Sequence, residues 1–97
     1  MHSGVVLSNN VIGGGYRHMV VSCPKIAEEV KDGQVVHIKV NHGNEPLLRR
    51  PFSVYLYNRK AGTIVFVYAV KGAGTNIMAN YKPGDKIDLL GPTGKAY

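Results

Sequence analysis

"RRPFSVYLYNRKAGTIVFVYAV", residues 49–70, is the stretch that decides the fold. Two apolar runs, "FSVYLY" (52–57) and "TIVFVYAV" (63–70), read as strands rich in β-branched and aromatic residues. Between them "NRKAG" (58–62) is a short glycine-containing connection of the kind that closes a β-hairpin. Two arginines and a proline stand directly before the first run. That order is either an ordinary charged strand start or a place where something anionic sits.

Outward from the hairpin, the same punctuation continues. "VVLSNNVI" (5–12) and "YRHMVVSC" (16–23) read as the first two strands, separated by "GGG" (13–15). "PKIAEEV" (24–30) fits one helical turn with proline at its start. "QVVHIKV" (34–40) alternates, with Val36, Ile38 and Val40 on one face and Val35, His37 and Lys39 on the other. "NHGNEP" (41–46) is a loop, "KPGD" (82–85) a turn and "KIDLLG" (86–91) the last strand. "GAGTNIMANY" (72–81) holds a short helical stretch preceded by Gly74 and Thr75. Glycines between short apolar runs mark an all-β domain. The expectation is a six-stranded antiparallel Greek-key barrel with one short helix, closed or nearly closed. Closure removes the strand edges that invite aggregation.

A chain of 97 residues fits one domain. No apolar run approaches the ~20 residues of a membrane span, and the N-terminus lacks the basic flank and apolar core of a signal peptide. The chain therefore reads as soluble and cytoplasmic, with no membrane partner. The single cysteine, Cys23, allows no internal disulfide. His2, His18, His37 and His42 lack metal-ligand spacing, so no metal site is expected. The six acidic residues are dispersed, which leaves no paired-carboxylate site. Net charge is +6, spread over twelve Lys and Arg residues with no run longer than two. Basic tails that bind nucleic acid come as blocks. A scattered excess fits a solvated surface, an acidic partner protein or a polyanionic cofactor.

Three segments carry candidate chemistry. In "RRPFS" (49–53), Pro51 biases Arg50 to an extended backbone and so aims its guanidinium. A guanidinium in fixed geometry suits bidentate phosphate binding. Ser53 lies three residues on, so a strict strand points it to the opposite face. A bend or bulge at Pro51 would be needed to bring both to one ligand. The alternative is a charged strand start with a surface serine. In "GAGT" (72–75) the glycines permit close backbone approach, and Thr75 is a candidate N-cap for a helix whose first N–H groups face an anion. The alternative there is a glycine-rich turn before a capped helix. "GPTG" (91–94) ends the last strand and says only that a loop follows.

Taken in order, "DGQVVHIKV", "PLLRRPFSVY", "VYAVKGAGT" and "GDKIDLLGPTGKAY" resemble the FAD-binding domain of the ferredoxin-reductase-like flavoproteins, spanning residues 32–97. Within that family the chain looks closest to the electron-transfer subunits of bacterial dihydroorotate dehydrogenases. The resemblance implies a six-stranded barrel that binds FAD. It implies that Arg50 pairs with the FAD phosphates, that Pro51 and Phe52 lie by the flavin or ribityl chain, and that Ser53 hydrogen-bonds near flavin N5 as the catalytic position. Tyr68, Ala69 and Val70 would line the flavin edge through their backbone, and Gly74 and Thr75 would hold the pyrophosphate. Residues 1–97 would form one FAD-binding domain, with the family's nucleotide-binding and iron–sulfur domains beyond Tyr97. The implied partners are a pyridine-nucleotide-binding domain or subunit and an iron–sulfur or flavin redox protein. The chain departs from the family pattern at Phe52, where many members have tyrosine. It departs also at Ala69, where close members often have arginine, and at Asp32, where "PGQ" is common.

Two other readings stay open at this level. A basic β-barrel that binds single-stranded nucleic acid would use exposed aromatics as a stacking platform, and Tyr55, Tyr57, Phe66 and Tyr68 are the residues available. A barrel without ligand could serve as a docking module.

Overall fold

The computed structural model describes residues 2–40 and 49–96. The expected loop 41–46, with His42, lies outside the described residues, as do the two leucines before Arg49. In chain order the elements are β1 His2–Gly13, β2 Tyr16–Ser22, α1 Pro24–Glu29, β3 Val35–Lys39 and β4 Arg49–Ser53, then β5 Leu56–Asn58, β6 Thr63–Ala69, α2 Ala73–Ala79 and β7 Lys86–Thr93. All strands join one antiparallel sheet in the order β4-β3-β7-β1-β2-β6-β5. The α1 crossover carries the chain from β2 to β3, and the α2 crossover carries it from β6 to β7.

The all-β barrel class holds, with seven strands among the described residues instead of six. The difference lies in "FSVYLY". β4 and β5 stand at opposite ends of the sheet, yet only Val54 and Tyr55 separate them in the chain. The Val54 amide reaches Gln34 O, beside β3, at 3.5 Å, while the Tyr55 amide donates to Val65 O on β6 at 2.8 Å. One extended run therefore leaves one partner and joins another. Among the described residues no ladder joins β4 to β5, so the sheet is not closed as a full barrel would be, and the chain at Val54–Tyr55 is what links its two end strands. "PKIAEEV" is a second short helix, α1, with Pro24 in its first turn and Ile26 and Ala27 buried.

Strand alternation fills the interior. Val36 and Ile38 of β3, Met19 and Val21 of β2, and Ile64, Phe66 and Tyr68 of β6 all point inward, with Ile87 and Leu89 of β7. The face expected for β3 is the buried one, Val40 included. Strand β1 breaks its own rhythm. A register irregularity between Val6 and Ser8 places one extra residue there. Val6 is buried, and the next inward side chain is Asn9, 7% exposed, in place of Ser8.

The hairpin loop holds α1. Arg59 donates to the carbonyls of Ala27 (2.8 Å), Glu28 (2.6 Å) and Val30 (2.8 Å), which a helix end leaves without intrahelical partners. The Arg59 guanidinium also lies 4.8 Å from the Tyr57 ring centre. Gly62, at φ +69°, lets the loop approach Pro24, where a Cβ would come within 3.0 Å of the proline ring.

Candidate functional site

The site begins with β4. Proline removes a ladder donor and is tolerated on edge strands, and β4 is the end strand of the sheet. The pairing of Arg49–Ser53 with β3 runs without interruption. No bulge forms at Pro51, so Arg50 and Ser53 lie on opposite faces of the strand. The two arginines part company for the same reason. Arg49 crosses over β3 to Asp88 on β7, with Nη2 2.8 Å from Oδ1 and its side chain only 12% exposed. Arg50 is exposed.

Beside β4 lies an open groove of about 740 Å³. Arg50, Pro51, Phe52 and Ser53 form one wall. Tyr68 and Ala69 of β6, with Gly74 and Thr75 of α2, form the other. Arg50 and Ser53 both border the groove despite their opposite faces because it follows the edge of β4 that β3 leaves uncovered. Of the site residues expected from the sequence, Val70 alone stays outside the lining. It packs against the core, and its amide donates to Gly15 O at 2.9 Å.

The groove floor is aromatic. Phe52 and Tyr68 meet edge to face, with ring centres 6.3 Å apart at 75°. The Tyr68 hydroxyl donates to Asn9 Oδ1 at 2.8 Å. Asn9 in turn donates to Met78 O (2.8 Å) and Tyr81 O (3.0 Å) at the end of α2. Arg17 Nε donates to Asn9 Oδ1 at 3.3 Å and Nη2 to Asn9 O at 2.6 Å. Burial pushes the Tyr68 phenol above its ordinary range, against the opposing pull of Asn9 and Arg17, so it stays a neutral donor.

The start of α2 differs from expectation. Gly72 occupies the N-cap position and Thr75 sits at the third helical residue. The Thr75 hydroxyl folds back and accepts from the amides of Lys71 (2.9 Å) and Gly72 (3.1 Å), which tightens the turn into the helix. The first helical bond is Asn76 N–H to Gly72 O at 2.9 Å. The N–H groups of Ala73, Gly74 and Thr75 therefore have no acceptor inside the helix. Gly74 also has a packing reason: a Cβ there would lie 3.2 Å from Val40 Cγ2 and 3.3 Å from Val40 Cβ.

Gly72 and Ala73, inside the expected glycine segment, line the groove too, and so do Tyr16, Val67 and Lys71, which sequence reasoning missed. Lys71 stands beside the "GAG" segment and was open to notice. Tyr16 enters only through the register of β2 on β6, which pairs it with Ala69. Of the four aromatics that a single-stranded nucleic acid would stack on, Phe66 is 0% and Tyr68 3% exposed, Arg59 sits on Tyr57, and Tyr55, at 62% exposure, is the one left open, so the four do not form a shared platform. Among the described residues no helix is long and apolar enough to cross a membrane.

Residues 5–97 match the family model described as "Oxidoreductase FAD-binding domain". The chain belongs to the oxidoreductase FAD-binding domain family. This FAD-binding domain is 35% identical over 92 residues to the dihydroorotate dehydrogenase B (NAD(+)) electron transfer subunit of Desulforamulus reducens, covering 95% of this chain and 35% of that protein. The corresponding subunit of Geobacillus thermodenitrificans is 36% identical over 92 residues, covering 95% and 36%. Among solved structures, an NADH-dependent reduced ferredoxin-NADP oxidoreductase superposes with a TM-score of 0.86 at 25% identity, covering 97% of this chain and 35% of that one. The chain spans about a third of the length of the curated relatives it matches. FAD is the family's cofactor, and the groove suits it: an exposed guanidinium, an aromatic floor and helical N–H groups without an intrahelical acceptor fit a diphosphate joined to planar rings.

Proposed function

We propose that this domain serves an oxidoreductase that passes electrons between a pyridine nucleotide and an iron–sulfur or flavin partner; the NAD(+) and electron transfer in the names of its relatives, and the flavin and ferredoxin of the similar solved structure, support the reading. Residues 1–97 supply the FAD-binding barrel, and nucleotide binding and the iron–sulfur centre belong to other domains or subunits. Bound FAD supplies the redox chemistry, taking up a hydride or single electrons, while the protein positions it and tunes its electronics. We place the protein in the cytoplasm on the same reading.

The residues divide the work by chemistry. Arg50 offers a charge-assisted fork to the pyrophosphate. The amides of Ala73, Gly74 and Thr75, which have no acceptor inside the helix, add neutral donors from the other wall. Pro51 and Phe52 give the flavin and ribityl chain an apolar bed, and Phe52 is held by its edge contact with Tyr68. The backbone of Tyr68 and Ala69 borders the flavin edge, and Val70 holds that stretch in place through its bond to Gly15. Ser53, exposed on the wall beside Phe52, is the donor toward flavin N5 and the catalytic position.

One observation carries this reading. Three segments distant in sequence, 50–53, 68–69 and 74–75, converge on one groove. The test is FAD titration of the purified chain, followed by gel filtration to see whether the yellow cofactor stays bound. A colourless chain that takes up no FAD overturns the reading. Ser53→Ala then separates binding from electron flow. One neutral hydrogen bond adds about 0.5–1.5 kcal/mol, so FAD affinity should stay within about tenfold. The potential of the bound flavin should fall, or its reduction slow once a pyridine-nucleotide domain is supplied. Unchanged potential and rate would leave Ser53 as a surface residue.

A further inference from the structure

Tyr16 stands on the groove wall. It opens β2 directly after the Gly13–Gly15 tip, and two strands hold it. It pairs with Gly13 of β1 on one side and Ala69 of β6 on the other. The bond from Val70 N–H to Gly15 O, 2.9 Å, fixes the residue before it. The glycine tip is therefore tied to β6, and the sheet fixes the backbone from which the Tyr16 side chain leaves.

The ring itself is uncommitted. It is 48% exposed, whereas Tyr68, on the neighbouring strand β6 and facing the interior, is 3% exposed. Among the described residues its hydroxyl makes no hydrogen bond. Its cross-strand neighbour Ala69 carries only a methyl group, so the wall beside the ring is low and flat. Directly opposite pairs on a sheet lie close enough for a large side chain at position 69 to cover the ring. Val67, two residues before Ala69 on the same face of β6, continues the apolar shelf along the groove. An exposed aromatic ring beside a small residue offers a face on which a planar ring can stack.

We propose that Tyr16 is a further FAD-contacting residue, its ring stacking on one of the two planar ring systems of FAD over the shelf that Ala69 leaves open. The inference rests on the FAD reading above and adds a contact that reading does not contain. Isoalloxazine and adenine share the chemistry that a tyrosine face recognises, and FMN, which lacks adenine, tells them apart.

The experiment compares wild type, Tyr16→Leu and Tyr16→Phe in FAD and FMN titrations, with FAD-free melts as control. Tyr16→Leu should weaken FAD roughly five- to hundredfold, the range of aromatic–base stacking. Tyr16→Phe should keep affinity within about threefold, since the ring is what stacks and the hydroxyl is unpaired. The FAD-free melting temperature of both variants should match wild type. Loss toward FAD and FMN alike, with brighter fluorescence of the bound flavin in Tyr16→Leu, assigns the ring to the isoalloxazine. Loss toward FAD alone assigns it to adenine. Wild-type affinity of Tyr16→Leu for both cofactors overturns the inference, and so does a Tyr16→Leu that melts lower or fails to fold without FAD. A wild-type chain that binds no FAD overturns the reading of function itself, and this inference with it.

Discussion

The adjacent arginines offer the sharpest separation of cofactor binding from fold stability. Arg50 is exposed on the groove wall, while Arg49 reaches away to Asp88 at 2.8 Å. Arg50→Ala should remove charge-assisted hydrogen bonds worth roughly 1.5–3 kcal/mol, which weakens FAD on the order of ten- to hundredfold. Its FAD-free melting temperature should barely change, because its side chain is already in solvent. Arg49→Ala should do the reverse. Its pair is only partly screened, at 12% and 40% exposure, and a pair of that kind contributes up to about 1 kcal/mol. For a domain of this size 1 kcal/mol moves the melting temperature by roughly 4–8 °C. FAD affinity of Arg49→Ala should stay within about threefold of wild type. Melts with and without saturating FAD read both effects in one instrument. A tenfold weaker cofactor shrinks the FAD-induced shift by about 1.4 kcal/mol, or roughly 6–11 °C. Equal losses of FAD affinity in the two variants would refute the reasoning, because the strand geometry points the two guanidinium groups apart.

The two glycines at the start of α2 should answer oppositely. Gly72 has extended backbone, φ −164°, and nothing within 4 Å of an added Cβ, so Gly72→Val should weaken FAD while costing less than about 1 kcal/mol of stability. Gly74→Val should lower the FAD-free melting temperature first, because its side chain meets Val40; a stable Gly74→Val that has lost only FAD would contradict this. Arg59→Ala should cost about 2 kcal/mol, a fall of roughly 8–16 °C, by releasing three carbonyls, and Arg59→Lys should recover little because a single ammonium lacks the fork. Urea melts on both variants check it. Burial raises the Tyr68 phenol above 10.0, and Tyr81 is raised too, first by burial and then by Asp85 and Asp88. A raised folded-state value keeps its stabilisation whole below pH 10 and surrenders it as pH climbs through that value. Stability should therefore fall more steeply above pH 10 in wild type than in Tyr68→Phe, and equal slopes would show that the phenol is not held neutral by the fold.

Much of this was legible because the chain states it locally. The buried face of β3 follows from simple alternation, and Val36, Ile38 and Val40 occupy it. Pro51 implied an extended Arg50, and β4 is extended. The break at Val54 was not legible, since "FSVYLY" is continuous in propensity and only the change of partner from β3 to β6 divides it. Thr75 was misplaced for a related reason. Thr is a good N-cap by type, but its hydroxyl is equally good when folded back from the third helical position, and Gly72 is free to start the helix. Tyr16 had no local mark at all, because its place depends on which residue of β6 lies opposite.

Asn9 shows most clearly where local reading stops and what the fold does with the difference. By alternation from Val6, Ser8 should face inward and Asn9 outward. The irregularity at Leu7 reverses them and sends an amide into the core. An unpaired amide there would be costly, yet every polar atom of the side chain is used. Nδ2 reaches two carbonyls at the end of α2, and Oδ1 receives Tyr68 and Arg17. The consequence reaches the site. Tyr68 braces Phe52 on the groove floor, and α2 carries the amides of the opposite wall. One buried side chain therefore ties the aromatic bed to the end of α2. On the function proposed above, that tie sets how far the bed for the rings would stand from the amides for the diphosphate, and it rests on an extra residue in β1 that no periodicity announces.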